Sequence, residues 1–185
     1  RWASALALAA AVSVTLPASA SDTAAYAQPG GGHREGLSFD IMETTVSEVQ
    51  AAFRRGRLTC VELVQAYLDR IEAYDDQFSS IVTINPDALE IAAEKDQEYK
   101  KDRKSVGSLH CVPILLKDNF NTADMPTTSS SKAMEGMIPA EDATTVAAMR
   151  AEGALILGKT HLHEFARGGE SLSSLGGQVH NPYDL

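Results

Sequence analysis

Two cysteines in 185 residues are too few for a disulfide framework. Export would permit a single bridge between Cys60 and Cys111. Two separate buried thiols are the expectation, because Cys60 sits among helical residues and Cys111 opens an apolar strand. Neither shows an activating pattern for a nucleophile, although His110 adjoins Cys111. Positive charge is also in short supply. Lys and Arg number 16 against 25 Asp and Glu, a net charge of -9. That balance argues against nucleic acid or an anionic membrane as partner. The local basic run Lys100-Lys101-Asp102-Arg103-Lys104 reads as a solvated helix end, where cations suit the macrodipole. No internal repeat is visible. Only Ala3 to Leu16 forms a long apolar run, and it is shorter than the roughly 20 residues that span a bilayer.

That run carries the pattern of a secretory signal peptide. Arg1 precedes it, Pro17 ends it, and Ala18-Ser19-Ala20 offers the small residues of a cleavage site before Ser21. Residues 1–20 are read as the leader, which places the protein in a secreted or extracytoplasmic compartment with no membrane span after cleavage. Residues 21–36 contain Pro29-Gly30-Gly31-Gly32 and few apolar side chains, the composition of a flexible lead-in. Residues 37–185 form the folded part.

Thr44-Thr45-Val46-Ser47-Glu48 offers a helix cap with an acidic first turn, and Val46, Val49, Ala52 and Phe53 recur at helical spacing until Gly56. A second helix begins at Thr59, with Glu62 at the capping-box position and Val61, Val64, Tyr67, Leu68 and Ile71 on its apolar side. Ile81-Val82-Thr83-Ile84 reads as a strand. Pro86-Asp87 opens a helix to about Lys101, Ile114 to Leu116 is a second strand, and Asp142 caps a helix that Gly153 stops. Ala154 to Gly158 is a third strand, and Leu162 to Ala166 one helical turn. Residues 119–141 have no regular pattern, and loops of that length are often functional. Strands alternating with helices predict an α/β fold with a mixed, largely parallel sheet flanked by helices. Ligands of such sheets lie beyond the carboxyl ends of the strands.

One such end carries a lysine. Cys111-Val112-Pro113-Ile114-Leu115-Leu116 is uncharged, and Lys117-Asp118-Asn119-Phe120 follows at once. A lysine there either caps the sheet toward water or is held in a site. In a site, desolvation favours the neutral amine, which is a base. The Thr127-Thr128-Ser129-Ser130-Ser131 loop that follows has the same two readings: hydroxyls bonding nearby backbone, their common use, or hydroxyls that shape a site.

The ordered set comprises this lysine strand, Met125-Pro126-Thr127-Thr128, Ser131, Asp142-Ala143, Gly153-Ala154-Leu155-Ile156-Leu157-Gly158-Lys159-Thr160, Glu164-Phe165-Ala166, Gly177-Gln178 and Asn181-Pro182-Tyr183-Asp184. It resembles the amidase signature family, the amide hydrolases with a Ser–cis-Ser–Lys triad, from about Val46 to Leu185. The resemblance implies that Lys117 is the triad base and that both triad serines lie beyond Leu185. Ser171, Ser173 and Ser174 precede the Asn-Pro-Tyr-Asp motif and do not match them. The chain is thus expected to be the N-terminal part of a secreted serine amidase acting on a small-molecule amide, inactive by itself, with no metal or organic cofactor. As a fragment it would leave an apolar sheet edge exposed.

The chain departs from the family at His161 and Gly176, where asparagine is usual, and at Glu170, in a stretch that is often small and polar. Two other readings compete. His161 and His163, spaced by one residue at a strand end, could ligate zinc in a metal-dependent amidohydrolase, although zinc needs three or four ligands. The chain could also be a truncated, inactive amidase-like protein.

Overall fold

A computed structural model of the chain describes residues 39–183. The signal-peptide reading of residues 1–20 and the lead-in reading of residues 21–36 lie outside them.

Two reciprocal capping boxes start the helical layer. Thr45 and Glu48 begin α1 (Val46–Arg54), and Thr59 and Glu62 begin α2 (Cys60–Phe78). Each threonine side chain accepts from the third helical N–H while the glutamate accepts from the cap N–H, so two orphan donors are satisfied at each end. Gly56, at φ +65°, lets the chain turn between them. Asp96, on α3 (Ala88–Lys101), accepts from the N–H groups of Cys60 and Val61 at 2.7 and 3.1 Å, which docks α3 onto the positive end of α2.

The sheet has the order β1-β3-β2, from β1 (Ile81–Ile84), β2 (Pro113–Lys117) and β3 (Leu155–Thr160). β2 runs parallel to β3 and β1 antiparallel to it, so the sheet is mixed in the most direct sense. The central strand β3 is covered on both faces, as its near-continuous apolar sequence requires. Leu155 and Leu157 pack into a core with Val49, Phe53, Leu63, Val64 and Ala92 from the three helices. Ile156 points the other way, against Leu116, Met125 and Val146 of α4 (Thr144–Ala151). Gly158 has no room for a side chain, because a Cβ there would meet the carbonyl oxygen of Thr83. A short hairpin, β4 (Leu172–Ser173) with β5 (Gly177–Gln178), stands apart from this sheet.

Three expectations are corrected. Cys60 and Cys111 are not separate thiols; they form a disulfide across 51 residues, with Cα atoms 5.7 Å apart. Cys111 is not in the strand. It lies in the preceding turn at φ +52°, which carries its side chain to the first residue of α2. Asp142 does not cap α4. Ala143 occupies that position with no side-chain cap, and Asp142 instead accepts from the Ala123 N–H and pairs with Arg150.

His110 belongs to the same turn as Cys111, 2% exposed and stacked on Tyr99 with Phe53 at its edge. Burial pushes its imidazole below the ordinary histidine value of 6.5, with Lys95 adding to the effect and Glu98 and Asp96 opposing it. The unfolded chain therefore binds the proton more readily. Stability is intact above about pH 6.5 and falls as pH drops toward and through the lower folded value. Urea midpoints measured from pH 7.5 to 5 are expected to decline, and to decline less steeply in His110→Gln.

Candidate functional site

The carboxyl ends of β2 and β3 lie side by side, with Lys117 opposite Thr160 in the parallel register. The Thr160 carbonyl accepts from the Asp118 N–H at 3.0 Å, and the Lys117 carbonyl accepts from the Phe120 N–H at 3.0 Å. The backbone on both sides of the lysine is thereby fixed. Side chains alternate across a strand. Leu116 turns into the α4-side core and Lys117 turns to the opposite face, where its side chain is exposed beside that of Leu115. Lys117 thus stands at a sheet end with free access, on an edge strand whose outer side has no partner among the described residues.

Asp118 follows Leu116 inward and is fully buried. Its Oδ2 accepts from the N–H groups of Thr128 and Ser130, each at 3.1 Å, and from the Thr128 hydroxyl. Its carbonyl accepts from the Ser129 N–H at 3.0 Å. Its Oδ1 faces the ammonium of Lys159 at 3.4 Å, and both side chains are wholly excluded from solvent. Lys159 also donates to Thr127 Oγ1 at 2.8 Å, to the Pro126 carbonyl at 3.2 Å and to Thr122 Oγ1 at 3.4 Å. Burial lowers the Lys159 pKa from the ordinary lysine range, and the Asp118 carboxylate opposes that shift.

The hydroxyl-rich loop is therefore more than a set of local turns. The Ser130 hydroxyl accepts from the Leu162 N–H at 3.1 Å and lies 3.3 Å from His161 Nδ1. The Ser131 hydroxyl donates to Glu164 at 2.7 Å, and the other Glu164 oxygen accepts from the Ser174 N–H. The hydroxyl bonds from Ser131 and Ser174 hold the Glu164 carboxyl below the usual carboxylate range. Ser174 Oγ in turn accepts from the Lys132 N–H, and Ser173 Oγ from Gly176. Loop, strand end, the 3₁₀ turn at Glu164–Ala166 and the hairpin form one hydrogen-bonded network that is joined to β2 through Asp118, the residue after Lys117. Ser173 and Ser174 serve as braces in it.

The departures at His161 and Gly176 turn out to be coupled. A Cβ on Gly176 would collide with the His161 ring, so the histidine fills space that the glycine leaves. Burial holds the His161 imidazole below its usual value. His163 faces elsewhere, with Nδ1 at 3.2 Å from Glu170. The two histidines have separate partners, and no group of three or more His, Cys, Asp or Glu among the described residues could hold a metal. The zinc reading therefore finds no third ligand there. Tyr183, in the Asn-Pro-Tyr-Asp turn, is 80% exposed, and its N–H donates to Asn181 Oδ1.

The motif set recognised in the sequence is matched by an amidase family model over residues 62–185. Over 146 residues the chain is 38% identical to a glutamyl-tRNA(Gln) amidotransferase subunit from Streptomyces coelicolor, covering 79% of this chain and 29% of that one. Its fold superposes on the peptide amidase of Stenotrophomonas maltophilia with a TM-score of 0.71 at 43% identity, over 77% of this chain and 30% of the other. An amidase family protein from Bacillus anthracis gives 0.70 at 35% identity, over 77% and 30%. The chain thus spans less than a third of the length of these relatives. Matched by the family model across most of its length, and carrying the lysine strand and its braced loop, the chain belongs to the amidase family.

Proposed function

We propose that this segment is the N-terminal part of a serine amidase that hydrolyses carbon–nitrogen bonds of a small amide, with Lys117 as the base of a Ser–cis-Ser–Lys triad. The observation that carries the reading is the placement of Lys117: accessible, at the carboxyl end of a parallel strand, on a backbone fixed from both sides. The two serines would come from sequence after Leu185. In the reaction a serine Oγ attacks the amide carbonyl, and its proton passes through the second serine to the Lys117 amine. The proton then returns to the leaving nitrogen as the carbon–nitrogen bond breaks, and water cleaves the resulting ester.

Peptide amides are the first substrates to try, given the likeness to a peptide amidase. A net charge of -9 favours a small amide over a tRNA. Export is part of the same proposal. The leader-like composition of residues 1–20 supports it, as does the Cys60–Cys111 disulfide, since such bridges persist in oxidising compartments.

The full-length protein is expected to release ammonia from N-acetyl-phenylalaninamide, to keep that activity in chelator, and to lose it on labelling by a fluorophosphonate. Activity abolished by chelator and restored by zinc would instead support the histidine-based alternative.

A further inference from the structure

We infer that Asp118 and Lys159 are a positioning pair for Lys117, acting together to fix the strand end and the loop beside it. The inference rests on the reading of Lys117 as the base. Neither side chain reaches solvent, so neither is placed to touch substrate. Their contacts converge on the loop of residues 122–131, which is tied to the residue that follows Lys117. One carboxylate oxygen of Asp118 gathers Thr128 and Ser130, while the other faces Lys159. Lys159 holds Thr122, Pro126 and Thr127, the other leg of the same loop.

The loop needs such a hold. Ser129 and Ser130 both have left-handed backbones, at φ +52° and +55°, a conformation that costs any residue with a side chain. Two successive residues of this kind persist only where their surroundings fix them. The Asp118 carboxylate and carbonyl provide the acceptors for their N–H groups. Because Asp118 is bonded directly to Lys117, a loosened loop moves the peptide that aims the lysine. The buried hydroxyls of Thr122 and Thr127 and the Pro126 carbonyl would also lose their ammonium donor if Lys159 were removed.

The test uses the full-length enzyme with Asp118→Asn, Lys159→Met and the double variant, assayed by ammonia release from N-acetyl-phenylalaninamide. Asparagine keeps an oxygen to accept from the loop, and the double variant leaves no buried charge unpaired, so at least one of the three is expected to fold. Each folded single variant is expected to lose about 10²-fold in kcat, the scale of a small misplacement of a reacting group. KM should stay within about threefold, since substrate-binding groups are untouched. The double variant should be no worse than the poorer single, the sign of two groups working as one unit. Hydrogen exchange at the amides of Thr128 to Ser131 should quicken in the same variants.

Normal kcat in a folded variant, losses that multiply in the double, or losses that merely follow the folded fraction would overturn the pairing. Lys117→Ala separates the two claims. If it is inactive while the pair variants turn over normally, only the positioning role fails. If Lys117→Ala is itself active, the base assignment fails first and takes the inference with it.

Discussion

Lys117→Ala in the full-length enzyme is expected to lower kcat by about 10³-fold, within the range that a positioned base contributes. The loss should appear in kcat and kcat/KM together, because the lysine acts on the proton of the nucleophile and makes little ground-state contact with the amide. Lys117→Arg should be nearly as poor, since a guanidinium does not give up its proton at any working pH. Neither change should disturb the fold. In this segment the side chain is exposed, and the hydrogen bonds at this strand end run through the backbone of Lys117 and through Asp118. Surface substitutions of that kind usually stay within about 0.5 kcal/mol in stability. Thermal midpoints within a degree or two of the parent would therefore accompany the loss of turnover.

Loss of the Cys60–Cys111 bridge is the largest expected effect on stability. A cross-link that closes 51 residues removes enough freedom from the unfolded chain to stabilise the fold by about 4 kcal/mol in the loop-entropy treatment. For a chain of this size that corresponds to a fall of roughly 10 °C in thermal midpoint. Cys60→Ala/Cys111→Ala and the reduced parent should show the same fall. The bridge is remote from chemistry. It pins the turn that leads into β2 to the first turn of α2, whereas Lys117 is at the other end of that strand. At 25 °C, kcat should therefore stay within about twofold for whatever fraction is folded. An unchanged midpoint after reduction would mean that the cross-link does not constrain the unfolded chain as this treatment requires.

Local signals were the legible part of the chain. Thr59 with Glu62, the spacing of Val61, Val64 and Leu68, and the apolar run into Lys117 each act within a few residues, and each produced the expected element. The direction of β1 is a different matter. A four-residue β-branched run has no polarity of its own, and only its pairing with β3 makes it antiparallel. Lys159 was missed for a related reason. The register of β2 against β3 slips by one residue between Ile114 and Leu115. That slip moves Lys159 to the face of Ile156 and into the Asp118 loop, and a one-residue slip cannot be read from alternation alone. The disulfide escaped because the left-handed turn at Cys111 is not encoded by any glycine there. Similarly, Asp142 has the chemistry of a helix cap, but Arg150 and the Ala123 N–H compete for its carboxylate and win.

The central claim is that Lys117 is the general base, and it has one direct measurement: turnover of Lys117→Ala in the full-length enzyme, with and without added ethylamine. Activity near background is expected without the amine, and a saturable recovery with it, as a small base occupies the space left by the side chain. Turnover close to that of the parent without any amine would contradict the assignment.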